Sequence, residues 1–150
     1  LNNMLGEEDL NPVGFHRMPP GERLASMMTP VVAGFADGSQ VALGSGGSNR
    51  IRSAILQVLV NVFEYGMELE DAVAAPRLHL EGDHMTIERG FPDAALAALE
   101  AEWPGVEQWE ENNLFFGGVH AVRRSSNGKF SASGDPRRGG AVAFAESVSL

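Results

Sequence analysis

A short glycine-rich segment, residues 44–49, has the residue types that point most directly to chemistry. Within it, Gly46-Gly47-Ser48 separates an apolar run ending at Leu43 from a helical pattern beginning at Ile51. Glycine lets a ligand approach the backbone closely, and N–H groups at a helix start can bind an anion. The spacing fits neither the dinucleotide-binding glycine pattern nor a P-loop. The segment predicts donors for an anion or an oxyanion, although three glycines at a strand-to-helix turn are more often only a tight connection.

Other polar residues could contribute to such a site, and each has a simpler interpretation. Ser26 precedes Met27-Met28-Thr29-Pro30, where its hydroxyl could hold a substrate carboxylate or cap a turn. Asp135-Pro136-Arg137 could place a carboxylate and a guanidinium at a site, but it first indicates a turn between strands. The acidic run Glu7-Glu8-Asp9 is first a solvated loop.

Composition excludes several classes of protein. The chain has no cysteine, which rules out disulfides, thiol nucleophiles and cysteine-based zinc sites. Its 20 acidic against 11 basic residues give a net charge of −9, which disfavours binding to phosphate backbones. No apolar run is long enough to span a membrane, and residues 1–10 lack the basic and apolar regions typical of a signal peptide. No metal site is predicted, because ligand spacing is absent among His16, His79, His84 and His120.

Strands and helices that would position the glycine segment follow from the apolar pattern. Residues 30–36 and 40–43 predict a hairpin around Asp37-Gly38. Residues 51–65 have apolar side chains at helical spacing, with Gly66 as a plausible cap. Residues 1–21 predict a long loop.

The remainder alternates short helices with short strands. Helices are predicted over residues 69–75 and 92–102. Strands are predicted over residues 77–80, 85–88, 106–109, 118–123, 129–133 and 141–144. Strands that occur in runs, rather than in strict βαβ alternation, favour an α+β fold with an antiparallel sheet. With 150 residues and 43% hydrophobic content, we treat residues 1–150 as a single unit.

Several short motifs, taken in chain order, resemble those of one enzyme family. They are Leu1-Asn2-Asn3, Ser26-Met27-Met28-Thr29-Pro30, Gly44-Ser45-Gly46-Gly47-Ser48-Asn49-Arg50-Ile51, Leu56-Gln57-Val58-Leu59-Val60-Asn61 with Tyr65-Gly66, Ala74-Ala75-Pro76-Arg77, Glu88-Arg89-Gly90-Phe91 and Asp135-Pro136-Arg137. They span nearly the whole chain, and their order is more specific than any one motif. On these motifs the chain resembles the C-terminal part of the small subunit of the γ-glutamyltransferases, or glutathione hydrolases.

The resemblance implies an N-terminal-nucleophile hydrolase fold, a four-layer αββα sandwich of which this chain would be a C-terminal fragment. In that family a precursor cuts itself to expose a threonine, which attacks γ-glutamyl amides such as glutathione. The nucleophile would lie before Leu1, because Thr29 and Thr86, the threonines present, fall outside its position. The chain alone would therefore be inactive and would need the remaining part of the precursor, including the large subunit, as its partner. No cofactor is implied.

The resemblance also assigns roles to individual residues. Gly46 and Gly47 match the glycine pair that forms the oxyanion hole, whereas a gapless alignment from Arg50 gives Gly47 and Ser48 instead. Asn3, Asp9, Ser26 and Ser48 are the expected substrate-binding residues, with Asp9 receiving the substrate α-amino group. Glu8 and Glu7 are the alternatives to Asp9.

Two residues depart from the family pattern. Met27 replaces the second serine of a carboxylate-binding pair, and Met4 replaces a glutamine. These departures keep open an acylase for another amide, as in the related cephalosporin acylases, and a non-catalytic relative that acts as a binding module. The first residue, Leu1, is not Met, which suggests a cleavage point or an introduced boundary there. The compartment is left open.

Overall fold

The structure, a computed structural model, describes residues 4–145. Its strands are β1 (Val31–Gly34), β2 (Gln40–Gly46), β3 (Leu78–Glu81), β4 (His84–Glu88), β5 (Glu107–Trp109), β6 (Gly118–Arg124) and β7 (Phe130–Ser133). Its helices are α1 (Arg50–Phe63), α2 (Leu69–Ala74) and α3 (Asp93–Glu102), with single 3₁₀ turns at Met4–Gly6, Glu8–Leu10, Leu114–Phe116 and Pro136–Arg138. Apart from its 3₁₀ turns, the described segment before β1 is irregular, as predicted. Leu1, Asn2 and Asn3 lie outside the described residues.

The larger sheet has four antiparallel strands in the order β1-β2-β6-β7. Its first two strands form the predicted hairpin. Asp37 accepts a hydrogen bond from the Ser39 backbone N–H at 2.9 Å, and Gly38 supplies the positive φ of +84° that the turn requires. This hairpin directs β2 toward the glycine segment, so that β2 ends at Gly46.

The smaller sheet has the order β3-β4-β5. Its first pair is antiparallel, but β4 and β5 are parallel. The expectation of purely antiparallel sheets is wrong for this pair. Because α3 connects β4 to β5, the chain crosses over and returns in the same direction, which is how parallel neighbours are joined.

The hydrophobic core lies between one face of the larger sheet and helices α1 and α2. Alternate residues of the central strands, Val41 and Leu43 on β2 and Val119 and Ala121 on β6, point into it and are buried. The apolar stripe of α1 packs onto them through Ile51, Ala54, Ile55, Val58 and Val62. Packing therefore fixes the start of α1 directly behind the end of β2.

The opposite face of the larger sheet has no helix against it among residues 4–145. One register row on that face is Val32, Ala42, Val122 and Ala132, one residue from each strand. Val32 is 75% exposed. We call this side the open face of the larger sheet.

The predicted strand over residues 141–144 is wrong, because these residues are irregular. Gly140 folds back onto Gly134 so tightly that a Cβ on Gly134 would lie 2.5 Å from the Gly140 carbonyl carbon. The Gly140 N–H donates to the Asp135 carbonyl oxygen at 2.8 Å. Residues 141–143 line a cavity of about 280 Å³ together with β6 and β7, and they form no strand with either.

Within residues 4–145, no helix has both the length and the apolar character needed to cross a bilayer.

Candidate functional site

The glycine loop, residues 46–49, presents free backbone donors at the start of α1. Gly47 has a φ of +128° and Ser48 a φ of +53°, so the chain turns sharply after β2. The N–H groups of Arg50 and Ile51 donate back to the carbonyl oxygens of Gly47 and Ser48, each at 3.1 Å. The N–H groups of Gly47, Ser48 and Asn49 donate to no other residue in the described part of the chain. Such donors at a helix N-terminus suit an oxyanion.

An acidic side chain lies directly beside this loop. The Ser48 hydroxyl donates a hydrogen bond to Oδ2 of Asp9, although the two residues are 39 positions apart. The 3₁₀ turn that carries Asp9 is held by Asn11, whose Nδ2 donates to the carbonyl oxygens of Leu5 at 3.2 Å and Glu7 at 2.7 Å. The structure thus brings together two of the predicted substrate-binding residues, Asp9 and Ser48.

A cavity of about 250 Å³ opens next to the glycine loop. Besides the loop itself, it is lined by Met4, Glu7, Met27, Met28 and Ile51. Thioether side chains are flexible and polarizable, so they adapt to ligands of irregular shape. The cavity therefore combines an apolar wall with one carboxylate and the backbone of Gly47 and Ser48.

The structure does not place Ser26 in that cavity. Its Oγ accepts a hydrogen bond from the Met28 backbone N–H at 3.1 Å, which is the turn-capping role weighed from the sequence. Ser26 instead lines a neighbouring cavity of about 650 Å³ that shares Met4 and Met28 with the first. The prediction for Asn3 lies outside the described residues.

Side chains from other elements fix the loop in place. Ser45 Oγ accepts from the Gly118 N–H at 3.1 Å, and it donates to the Gly46 carbonyl oxygen at 3.2 Å. Arg50 Nε donates to the Phe115 carbonyl oxygen at 3.2 Å, and its guanidinium lies 4.8 Å from the centre of the Phe115 ring. These contacts tie the end of β2 and the start of α1 to residues 115–118.

Asn49, the residue before α1, is held in place by a side chain of the smaller sheet. Its Nδ2 donates to Glu81 at 2.7 Å, and the other oxygen of Glu81 lies 3.2 Å from His79 Nε2. The hydrogen bond with His79 and, to a smaller extent, the one with Asn49 lower the pKa of the Glu81 carboxyl. His79 in turn contacts the Ser53 hydroxyl on α1 at 2.8 Å, so this chain of contacts fastens the first turn of α1 to β3.

Four buried charged residues lie behind the site: Arg77, Glu88, Asp135 and Arg137. Arg77 pairs with Asp135 at 2.7 Å, and Arg137 pairs with Glu88 at 2.5 Å and with Asp135 at 3.3 Å. Asp135 also accepts the Val119 N–H at 2.7 Å, while Glu88 accepts the Arg77 N–H at 2.9 Å. Because Val119 belongs to β6 and Glu88 to β4, this cluster joins the two sheets.

Compensation within this cluster is uneven, because burial and then the neighbouring Arg137 lower the pKa of Arg77 although it pairs with Asp135. Burial raises the pKa of Asp135, but the Arg77 guanidinium and the N–H donors of Arg137 and Val119 outweigh it, so the pKa lies below its usual value. Burial lowers the pKa of Arg137, but Glu88 and Asp135 more than offset this and raise it. The functional interpretation of Asp135 is not supported, because its side chain is fully buried and caps the turn at Pro136–Arg138.

Sequence reasoning missed this cluster, since it took Ala75-Pro76-Arg77 as a helix stop and Asp135-Pro136-Arg137 as a turn. The available signal was the appearance of a Pro-Arg pair in both motifs.

In the described part of the chain, no three His, Cys, Asp or Glu side chains come together as metal ligands.

Comparison with known proteins gives a consistent result. The sequence model of the gamma-glutamyltranspeptidase family matches residues 1–145. The chain is 32% identical over 144 residues to a glutathione hydrolase proenzyme of Bacillus subtilis (strain 168), covering 95% of the chain and 24% of that protein. It is 30% identical over 132 residues to an acylase ACY 1 proenzyme of Pseudomonas sp. (strain SE83), covering 88% and 23% respectively. The chain thus spans about a quarter of the length of these relatives.

Solved structures agree. The transpeptidase CapD of Bacillus anthracis superposes with a TM-score of 0.71 at 26% identity, covering 84% of this chain and 75% of that one. The expected α+β fold of N-terminal-nucleophile type is confirmed, and residues 4–145 form a part of it. The resemblance stated from the sequence motifs is confirmed as well, and the chain belongs to the gamma-glutamyltranspeptidase family.

Proposed function

We propose that the full-length protein cleaves or transfers γ-glutamyl groups, most simply from glutathione, through a threonine-bound acyl-enzyme. The observation that carries this proposal is the set of free N–H donors in the glycine loop, with Asp9 held beside it. Family membership supports the reaction class. The threonine would come from a part of the protein outside this chain.

The proposed chemistry needs only a hydroxyl, an amine and the loop. The threonine oxygen attacks the amide carbon, and its proton passes to the α-amino group of the same threonine. The negative charge that develops on the carbonyl oxygen is stabilised by the loop N–H groups. The leaving amine takes up the proton, and water or an amino acid then resolves the ester.

The loop geometry favours one of the two donor pairs left open by the sequence. Gly46 still belongs to β2 and pairs with Gly118 in the ladder. Gly47 and Ser48 lie outside both β2 and α1, and their N–H groups have no acceptor among the described residues. We therefore assign the oxyanion donors to Gly47 and Ser48, and the amino-group acceptor to Asp9, whose exposed carboxylate already binds the Ser48 hydroxyl.

The open face of the larger sheet is the surface that we assign to the remaining part of the precursor. An apolar row that crosses all four strands is the usual inner face of a two-sheet sandwich. On this proposal, the chain alone is inactive because it lacks the nucleophile and one wall of the site.

The test is release of nitroaniline from γ-glutamyl 4-nitroanilide by the 150-residue chain and by the full-length protein. We expect activity only in the full-length protein, after self-cleavage that leaves a new N-terminal threonine. Activity in the 150-residue chain would contradict the placement of the nucleophile. A full-length protein that stays uncleaved and silent would instead indicate a non-catalytic relative.

A second candidate is an acylase for a less polar acyl group. The cavity beside the loop is lined by Met4, Met27 and Met28, and Ser26 lies outside it, in the neighbouring cavity. Faster release of nitroaniline from an alkanoyl anilide than from the γ-glutamyl anilide would favour this function.

A further inference from the structure

Arg138 lies on the open face of the larger sheet, directly against the glycine loop. Its side chain passes over Gly118, where a Cβ would lie 2.3 Å from the Arg138 Cδ. Its guanidinium carbon lies 3.8 Å from the position that a Cβ of Gly46 would take, and Nη2 lies 3.3 Å from the corresponding position of Gly47. Because Gly46 and Gly118 are direct partners in the β2–β6 pairing, missing side chains on both strands create the space for the guanidinium.

This cation has no acidic partner in the described part of the chain. Its one described side-chain hydrogen bond runs from Nη2 to the Leu114 carbonyl oxygen at 3.2 Å. The nearby Arg77 and Arg137 are both paired with buried carboxylates. A guanidinium stays charged and has five N–H donors, so most of those on Arg138 remain available.

We propose that Arg138 binds a carboxylate of the amide substrate and thereby sets the specificity of the site. This inference rests on the proposed function, because it takes the loop N–H groups as the oxyanion donors. If the loop N–H groups hold the scissile carbonyl oxygen of the substrate, the Arg138 guanidinium beside Gly46 and Gly47 can reach substrate atoms a few bonds from that oxygen. Arginine binds carboxylates with paired, charge-assisted hydrogen bonds.

The carboxylate can come from either side of the scissile amide. On the acyl side it is the α-carboxylate of a γ-glutamyl group, and on the amine side it is the carboxylate of a peptide leaving group. Both present the same chemistry to Arg138, so substrates with a single carboxylate on a known side distinguish them.

The test uses the full-length protein with Arg138→Gln, Arg138→Lys and a control, Arg89→Gln. Arg89 is an exposed arginine just after β4 of the smaller sheet, so its substitution removes the same charge outside both the glycine loop and the open face. The substrates are glutaryl 4-nitroanilide, pentanoyl 4-nitroanilide and the pentanoyl amide of 4-aminobenzoate. They carry a carboxylate on the acyl side, on neither side and on the amine side.

We expect Arg138→Gln to lower kcat/KM by roughly 10- to 100-fold for one carboxylate-bearing substrate, mainly through KM, because a hydrogen bond to a charged group is lost. The pentanoyl anilide should be unaffected, Arg138→Lys should recover part of the loss, and Arg89→Gln should have no effect. The substrate whose kcat/KM falls shows on which side of the amide Arg138 binds the carboxylate. Equal losses on all three substrates would overturn the proposal and make Arg138 a support of the loop.

A binding measurement separates this inference from the proposed function. If γ-glutamyl 4-nitroanilide is not cleaved, the proposed function fails, and calorimetric titration with glutarate, 4-aminobenzoate and pentanamide still tests Arg138. Glutarate or 4-aminobenzoate binding that is weakened roughly 10-fold or more by Arg138→Gln, but not by Arg89→Gln, would support it. Equal binding to wild type and Arg138→Gln, or no carboxylate binding to wild type, would overturn it.

Discussion

At the scale of single residues, the candidate site depends on backbone geometry more than on reactive side chains. Gly47 has a φ that L-residues rarely adopt, and a Cβ there would be crowded by Gly117 and Arg138. Ser48 shares the left-handed region, and its hydroxyl holds Asp9. The loop N–H donors are therefore aligned by conformation and by close packing against residues 117 and 138.

Replacing Gly47 by alanine should disable the site. A Cβ there would lie 3.1 Å from the Gly117 Cα and 3.3 Å from Arg138 Nη2, so the loop must shift. Small displacements of positioning groups can cost about 100-fold in rate, and we expect kcat in the full-length protein to fall by about that factor. Gly66→Ala is the control, because Gly66 also has a positive φ but nothing within 4 Å. It should cost about 1–2 kcal/mol of stability and leave kcat unchanged, whereas equal kcat losses would contradict the assignment.

Asp9→Asn tests whether this carboxylate receives the substrate amino group. A γ-glutamyl anilide has the α-amino group, and a glutaryl anilide lacks it. We expect kcat/KM to fall roughly 10- to 100-fold for the first substrate, since a hydrogen bond between charged groups is lost, and to change little for the second. Glu8→Gln removes a neighbouring exposed charge and should leave kcat/KM unchanged for both substrates. Parallel losses on both substrates would show that Asp9 only holds Ser48.

At the scale of secondary-structure elements, the two sheets are joined by the buried cluster of Arg77, Glu88, Asp135 and Arg137. Arg137 contributes most, since it also donates to the carbonyl oxygens of Val73 at 3.1 Å and Ala75 at 2.8 Å. The next residue is Arg138, so the turn that completes the cluster also carries the cation to the glycine loop. Damage to the cluster should therefore affect both stability and the site.

Asp135→Asn should be strongly destabilising. It leaves Arg77 buried without its carboxylate, and breaking a buried ion pair by removing one partner typically costs about 3–5 kcal/mol. The control is Glu110→Gln in the exposed Arg89–Glu110 pair, which should cost at most about 1 kcal/mol. Thermal unfolding of the full-length variants measures both, and similar effects would argue against a structural role for the buried cluster.

The same carboxylate predicts a pH dependence. The pKa of Asp135 is lowered in the folded protein, so its contribution to stability is present above the ordinary value of 3.8 and is lost as pH falls through the folded pKa. The difference in unfolding free energy between wild type and Asp135→Asn should therefore be constant at neutral pH and shrink below about pH 4. A difference that grows on acidification would contradict the pairing.

Local patterns predicted most of the elements but few of the contacts between them. Helix α1 and the hairpin follow from apolar periodicity and from Asp37-Gly38, which act over a few residues. Residues 141–144 have the composition of a strand, but a contact between Gly134 and Gly140 diverts them. Ser48 and Asp9 were named from motifs, whereas their pairing across 39 residues is visible only in the fold.

At the scale of the whole molecule, the chain has one side covered by helices and one open apolar side. On the helical side, Leu56 of α1 is 61% exposed, and on the open side Val32 of β1 is 75% exposed. Judged only by solvent exposure within this chain, a charged side chain at Val32 should destabilise the protein less than one at Leu56. If the open face packs against the remaining part of the precursor, as we propose, a charge at Val32 becomes the more damaging of the two.

We expect Val32→Glu in the full-length protein to prevent self-cleavage and activity, because it places a charge between two packed sheets, where an unpaired ion is very costly. Leu56→Glu is the matched control, since it introduces the same side chain on the helical side, and it should process normally. Gel analysis of the processed subunits and nitroaniline release measure both outcomes. If the two variants process equally well, the open face is not the assembly surface, and the remaining part of the protein must pack elsewhere on this chain.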